Sequence, residues 1–260
     1  MKRSIGLLFV AVFCVSCAKG TPLNPIFPAG VSPTPLEQPA YVGIGRLQSL
    51  GEVTVAQTFG GVAFVNFVEV LQSKESTIRN NDVAGWVYAY QGVHQLSRQD
   101  GERRSVVDQG AASWVDGEVD HLNPSIENQT WYFVAYRSAL QRNSSIPYPN
   151  SRILYATADL PAPPAAKKLV HLLAYITMDV GGRTSAHSHG GTEAFYVMKG
   201  KVELATNDGK RVQVAEGQGA SVKPGLVMQL RVLGDVPVQI ITYFVTPEGE
   251  PWQTNLQTLP

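Results

Sequence analysis

Laid on itself with an offset of 108 residues, the chain repeats: Gly92 falls on Gly200, Leu96 on Leu204, and the pair Asp100-Gly101 on Asp208-Gly209. With one loop residue dropped the offset becomes 107, and Gly110 falls on Gly217, Val115 on Val222 and Tyr136 on Tyr243. Asp-Gly is a favoured two-residue hairpin turn because both positions tolerate positive φ. Its recurrence at one place in both halves constrains the architecture to two copies of one unit. At 260 residues each copy is long enough for its own core. The segments 62–70, 85–96, 131–136, 169–180 and 238–245 are rich in β-branched and aromatic residues, with Gly, Pro, Asn and Asp between them. No stretch carries a convincing helical period, so the expectation is an all-β chain of two tandem barrels.

The first forty residues differ from the rest. Lys2 and Arg3 precede the apolar run 5–15, which has the length of a signal-peptide core and is too short to span a bilayer. The run ends in Cys14-Val15-Ser16-Cys17, which resembles the lipobox of bacterial lipoproteins, with Cys14 where Leu is usual. That resemblance implies an exported chain, lipidated at Cys17 and anchored to a membrane on the periplasmic or cell-surface side. Residues 18–40 hold Pro22, Pro25, Pro28, Pro33, Pro35 and Pro39, a composition that favours extended, solvated chain and suits a tether. Cys14 and Cys17 are the only cysteines, so nothing after them can form a disulfide. The remaining divisions expected are a first barrel over 41–145, a Pro-containing linker over 146–166, a second barrel over 167–248 and a tail over 249–260.

Residues 181–200 read GGRTSAHSHGGTEAFYVMKG. His187 and His189 are two apart, so on a strand they point to one side. Gly190 and Gly191 permit a tight turn, after which Glu193 begins a neighbouring strand. Two imidazoles and one carboxylate with open positions beside them is an arrangement used by non-haem metals. The spacing alone is equally compatible with a pair of surface histidines beside a flexible turn.

The stretch resembles the first motif of the cupin family: Gly, five residues, His-x-His, three or four residues, Glu, six residues, Gly. Gly181, His187, His189, Glu193 and Gly200 meet every position. The second motif, Gly, five residues, Pro-x-Gly, two residues, His, is met by Gly217 and Gly225, while Lys223 takes the Pro position and Met228 the His position. The resemblance implies two tandem double-stranded β-helix (jelly-roll) barrels, the second holding one divalent metal ion: iron, manganese, zinc, nickel or copper. His187, His189 and Glu193 carry over as ligands. Met228 is either a weak thioether ligand or an apolar wall of the pocket. Strand alternation adds Phe195 and Leu230 to the pocket lining, with Val197 and Val232 as barrel core.

By the repeat offset, the first half has Arg79, Asn81 and Gly85 at the ligand positions and His121 at that of Met228. No metal site is expected there. His121, His94 and His171 read as structural. The chain carries 21 basic and 21 acidic residues with no basic stripe, which argues against a nucleic-acid partner. The function implied is a metal-dependent enzyme on a small organic molecule, dioxygenase-like in its reaction. The alternative is a non-catalytic binding module for a metal or small ligand. Either is compatible with a homo-oligomer.

Overall fold

The computed structural model describes residues 45–80, 83–98, 104–144, 148–163 and 167–256. The expected signal segment, Cys17 and the expected tether lie outside them, as does the Asp100-Gly101 pair. Strands of the first half are β1 (Gly45–Ala56), β2 (Gly61–Gln72), β3 (Thr77–Asn80), β4 (Gly85–Gln91), β5 (His94–Arg98), β6 (Arg104–Val107), β7 (Ala112–Val115), β8 (Val119–Leu122), β9 (Gln129–Ser138), β10 (Ser151–Ala156) and β11 (Leu160–Ala162). Those of the second are β12 (Lys168–Met178), β13 (Ala186–Ser188), β14 (Thr192–Lys199), β15 (Lys201–Thr206), β16 (Arg211–Ala215), β17 (Gly219–Val222), β18 (Met228–Val232), β19 (Val238–Pro247) and β20 (Thr254–Leu256). One 3-10 turn, Ala139–Gln141, is the only helical element among the described residues. The chain is all-β.

Each half is a barrel of two facing sheets. In the first, β10-β2-β9-β4-β7, with β11 also on β2, faces β3-β8-β5-β6. In the second, β1-β12-β19-β14-β17 faces β16-β15-β18-β13-β20. The strand β1 belongs to the second barrel and not to the first, pairing with β12 from Gly45↔Met178 to Ala56↔Lys168. The expected linker carries β10 and β11, which pair with β2, and the expected tail carries β20, which pairs with β13. The reason is the same in each case. β2, β12 and β13 are mostly buried, so an uncovered edge would leave backbone N–H and C=O groups unpaired away from water.

The large sheets pack against each other back to back, which explains why their strands lack alternation. On β19, Val238 and Ile240 face the interior of their own barrel, while Ile241, Tyr243 and Val245 face the first barrel. They meet Val65, Phe67, Tyr132 and Val134 in one cluster, with Phe67 and Tyr196 rings 6.3 Å apart. The interface is tight at Gly219, where an added Cβ would stand 2.3 Å from the Tyr155 ring. A hairpin forms at Asp208-Gly209, but through a longer loop than the two-residue turn: Gly209 N donates to the Thr206 carbonyl at 3.0 Å, and of the two residues only Gly209, at φ 84°, is left-handed.

Candidate metal centre

His187 lies on β13, between Met228 of β18 and Asn255 of β20. Glu193 lies on β14, between Val222 of β17 and Phe244 of β19. The turn through Gly190 and Gly191 carries the chain from one sheet to the other, so the three side chains converge from facing sheets. One donor atom from each of His187, His189 and Glu193 lies within 4.8 Å of the others, and all three residues are buried.

The hydrogen bonds fix which ring atoms are free. His187 Nδ1 is 2.8 Å from the Ser185 carbonyl and His189 Nδ1 is 2.5 Å from the Trp252 carbonyl. A carbonyl only accepts, so both Nδ1 atoms carry a proton, and in a neutral ring Nε2 is the atom left with a lone pair. His189 Nε2 stands 3.2 Å from Glu193 Oε2, yet each is buried without a hydrogen-bond partner. With His189 neutral, both atoms are acceptors, and a cation bound between them would satisfy both. The other carboxylate oxygen, Oε1, accepts from the Thr242 hydroxyl at 2.8 Å.

The protonation states agree. Burial, with His189 next to it, pushes His187 down to about 4, so it is neutral at pH 7. Burial alone would push the Glu193 carboxyl up, but His189, His187 and the Thr242 hydrogen bond outweigh it and hold the group below the ordinary carboxylate range. A neutral imidazole, as at His187, and an ionised carboxylate are the forms that bind metal. A buried carboxylate is costly unless a cation compensates it, and among the described residues no lysine or arginine pairs with Glu193. The residues present therefore fit one divalent metal ion.

Met228 is fully buried and packs in one apolar cluster with Phe195, Leu230, Val197 and Val232. Local sequence did not reveal Thr242, the Ser185 carbonyl or the Trp252 carbonyl, because residues 49 and 63 positions away supply two of these contacts. These outer hydrogen bonds orient the ligands. Thr242→Val is expected to weaken metal binding about tenfold while leaving the fold intact, as measured by competition with a chromogenic chelator.

The first barrel is built differently at this end. Asn80 stands opposite Val119 as His187 stands opposite Met228, so the register is one residue off the expected alignment. Arg79 is turned outward onto Asp120, at 3.3 Å, and Asn81 lies outside the described residues. At Gly85, in the place of Glu193, a Cβ would stand 2.7 Å from the Phe133 ring and from the Val134 carbonyl, which leaves no room for a carboxylate.

His121 is not the counterpart of Met228. The connection from Val115 to Val119 is two residues shorter than that from Val222 to Met228. His121 accordingly pairs with Leu96 as Leu230 pairs with Leu204, deeper in the barrel. There it meets His94, with Nδ1 of His121 2.9 Å from Nε2 of His94. Gln72 donates to the Ser76 and His121 carbonyls and accepts from Trp131 and Gln129. Gln129 Nε2 is thereby a donor, so His94 accepts at Nδ1 and donates from Nε2 to His121. His94 and His121 thus stand where the second barrel has Val202 and Leu230, both in its apolar core. Gln72→Leu strands two buried donors, and we expect it to cost about 2–4 kcal/mol in urea denaturation.

Residues 174–244 match the family described as Cupin domain. No curated protein sequence matches the chain. Among solved structures it is similar to the Lactobacillus farciminis oxalate decarboxylase in its formate complex, at 11% identity over 89% of this chain and 92% of that one, with a TM-score of 0.52. It is similar to the Bacillus subtilis oxalate decarboxylase at 13% identity over 81% and 79%, with a TM-score of 0.50. The coconut allergen cocosin aligns at 11% identity over 81% and 87%, with a TM-score of 0.51. The chain thus has the fold of two tandem cupin-like jelly-roll barrels, and the cupin domain match falls on the barrel whose His187, His189 and Glu193 can hold a divalent metal ion.

Proposed function

We propose that the protein is a metal-dependent enzyme of the oxidoreductase type, dioxygenase-like, acting on a small organic molecule outside the cytoplasm, where lipidated Cys17 tethers it to a membrane. The observation that carries the reading is the convergence of one donor atom each from His187, His189 and Glu193 in a buried barrel packed with Phe195, Met228 and Leu230. A bound divalent ion would supply Lewis acidity and, if redox-active, electrons for oxygen chemistry. The protein's own part is to hold the ligands in one protonation state, to exclude water through the apolar lining, and to orient the donors through Ser185, Thr242 and Trp252. No further titratable side chain joins the cluster among the described residues, which favours chemistry centred on the metal over acid–base catalysis by a side chain. The same observation supports the second reading, a module that binds a metal or small ligand without turning it over.

Purified protein is expected to carry about one equivalent of divalent metal. His187→Ala with His189→Ala is expected to bring it below a tenth, and His121→Ala to leave it unchanged, by elemental analysis. The Bacillus subtilis oxalate decarboxylase carries Mn(II) centres, so manganese is loaded first, followed by iron(II) and copper. Oxygen uptake with a panel of small organic acids and phenols supports the enzyme, and silence under every metal supports the binding module. For the anchor, Cys17→Ser is expected to abolish fatty-acid labelling, and unchanged labelling rejects it.

A further inference from the structure

The end of the second barrel that holds the donor cluster is covered unevenly. On one side β20 lies across it, with Asn255 against His187 and the Trp252 carbonyl on His189. On the other side, between the β15–β16 hairpin and the loop 223–227, lies a cleft of about 580 Å³, within the range of small-molecule sites. Its floor is Leu204, Ala220 and Leu226, which pack with the apolar cluster containing Phe195 and Met228. Its wall includes Thr206, which stands opposite Met228 across the ladder, as Met228 stands opposite His187. Two strand spacings, about 10 Å, therefore separate that wall from the donor cluster.

The rim carries Asp208, Lys210 and Lys223. Lys210 Nζ donates to Asp208 Oδ2 at 2.7 Å, so that pair cancels. Lys223 takes part in no ion pair among the described residues, which leaves one uncompensated positive charge over an apolar floor. We infer that this cleft is an outer binding recess of the same barrel, parted from the donor cluster by buried Thr206 and Met228, and that it takes a small organic monoanion with an apolar body, an aromatic or branched monocarboxylate. The carboxylate lies toward Lys223 and the body rests on Leu204, Ala220 and Leu226. A dianion leaves one charge unmatched over the apolar floor, and a two-carbon acid leaves most of the volume unfilled. The inference rests on the reading of the cluster as a metal-dependent site.

The test is an amide NMR titration of the full chain with phenylacetate, with and without zinc loading, and with zinc uptake measured on the same samples. We expect saturable shifts at Ala220, Ser221, Gly225 and Leu226. Lys223→Gln is expected to raise Kd about fivefold and Lys199→Gln, an exposed lysine elsewhere, to leave it unchanged. Oxalate is expected to bind more weakly than phenylacetate. Shifts that are absent or scattered, an unaffected Lys223→Gln, or tighter binding of oxalate overturns the recess. Zinc uptake without phenylacetate binding removes the recess and keeps the metal centre. Phenylacetate binding at these amides without zinc uptake keeps the recess as a monoanion site and removes the metal reading.

Discussion

Lowering the pH from 7 to 4 is expected to unfold the protein, and the histidines buried outside the metal centre are the reason. Burial holds His94 down to about 3 and His171 to about 4, while burial and the neighbouring His94 hold His121 well below the ordinary value. In the unfolded chain each titrates near its ordinary value of about 6.5. Between about 6.5 and 4 the unfolded state takes up protons that the folded state refuses, so stability is full above pH 6.5 and falls as the pH falls. Each depressed histidine accounts for roughly 3 kcal/mol or more over that window. Three of them together are comparable to a total stability of about 5–15 kcal/mol. The network offers no relief, because Gln72 and Gln129 pin His94 as a neutral donor to His121. Urea midpoints measured at pH 7, 6, 5 and 4 should drop steadily from just below pH 7, and a midpoint that stays flat from 7 to 5 removes this account.

Gly191→Ala is expected to be the most damaging single methyl in the chain. A Cβ there would stand 2.0 Å from the Val245 carbonyl oxygen and 2.4 Å from Thr246 Cα, both backbone atoms of the central strand β19. A side chain could swing aside, but these atoms cannot move without breaking the Thr192↔Val245 pairing at the start of β14. The displaced turn lies between His189 and Glu193, so the cluster would open as the strand shifts. We expect a loss of at least about 3 kcal/mol and metal content below a tenth of the wild type. Gly217→Ala meets no atom within 4 Å, though its φ is +80°. It is expected to cost only about 1 kcal/mol and to keep the metal. Equal effects of the two changes would mean that close approach at Gly191 is not what positions the ligands.

Much of this was legible because it is local. His-x-His on one strand, a Gly-Gly turn and a glutamate opening the next strand bring the three donors together through backbone geometry alone. The repeated Asp-Gly pair and the segments rich in β-branched and aromatic residues likewise announced two β-barrels. What escaped depends on contacts distant in sequence. The polar alternation of 45–56 reads as a strand, but nothing in it names β12 as its partner, 112 or more residues away. His121 was aligned by its distance from a glycine, and a connection two residues shorter moved it one inward-facing position deeper, to a place beside His94.

By itself the sequence determined the element type, the duplication and the identity of His187, His189 and Glu193, since spacing along a strand decides which side chains share a face. Only the tertiary structure decided which nitrogen of each histidine the backbone engages, because the Ser185 and Trp252 carbonyls that accept from Nδ1 reach the rings through folding. It alone decided that the barrels exchange edge strands and that the mouth is half covered by β20. Those outcomes follow from burial: backbone groups at a sheet edge and polar atoms inside a barrel must find partners, and the nearest ones in space need not be near in sequence.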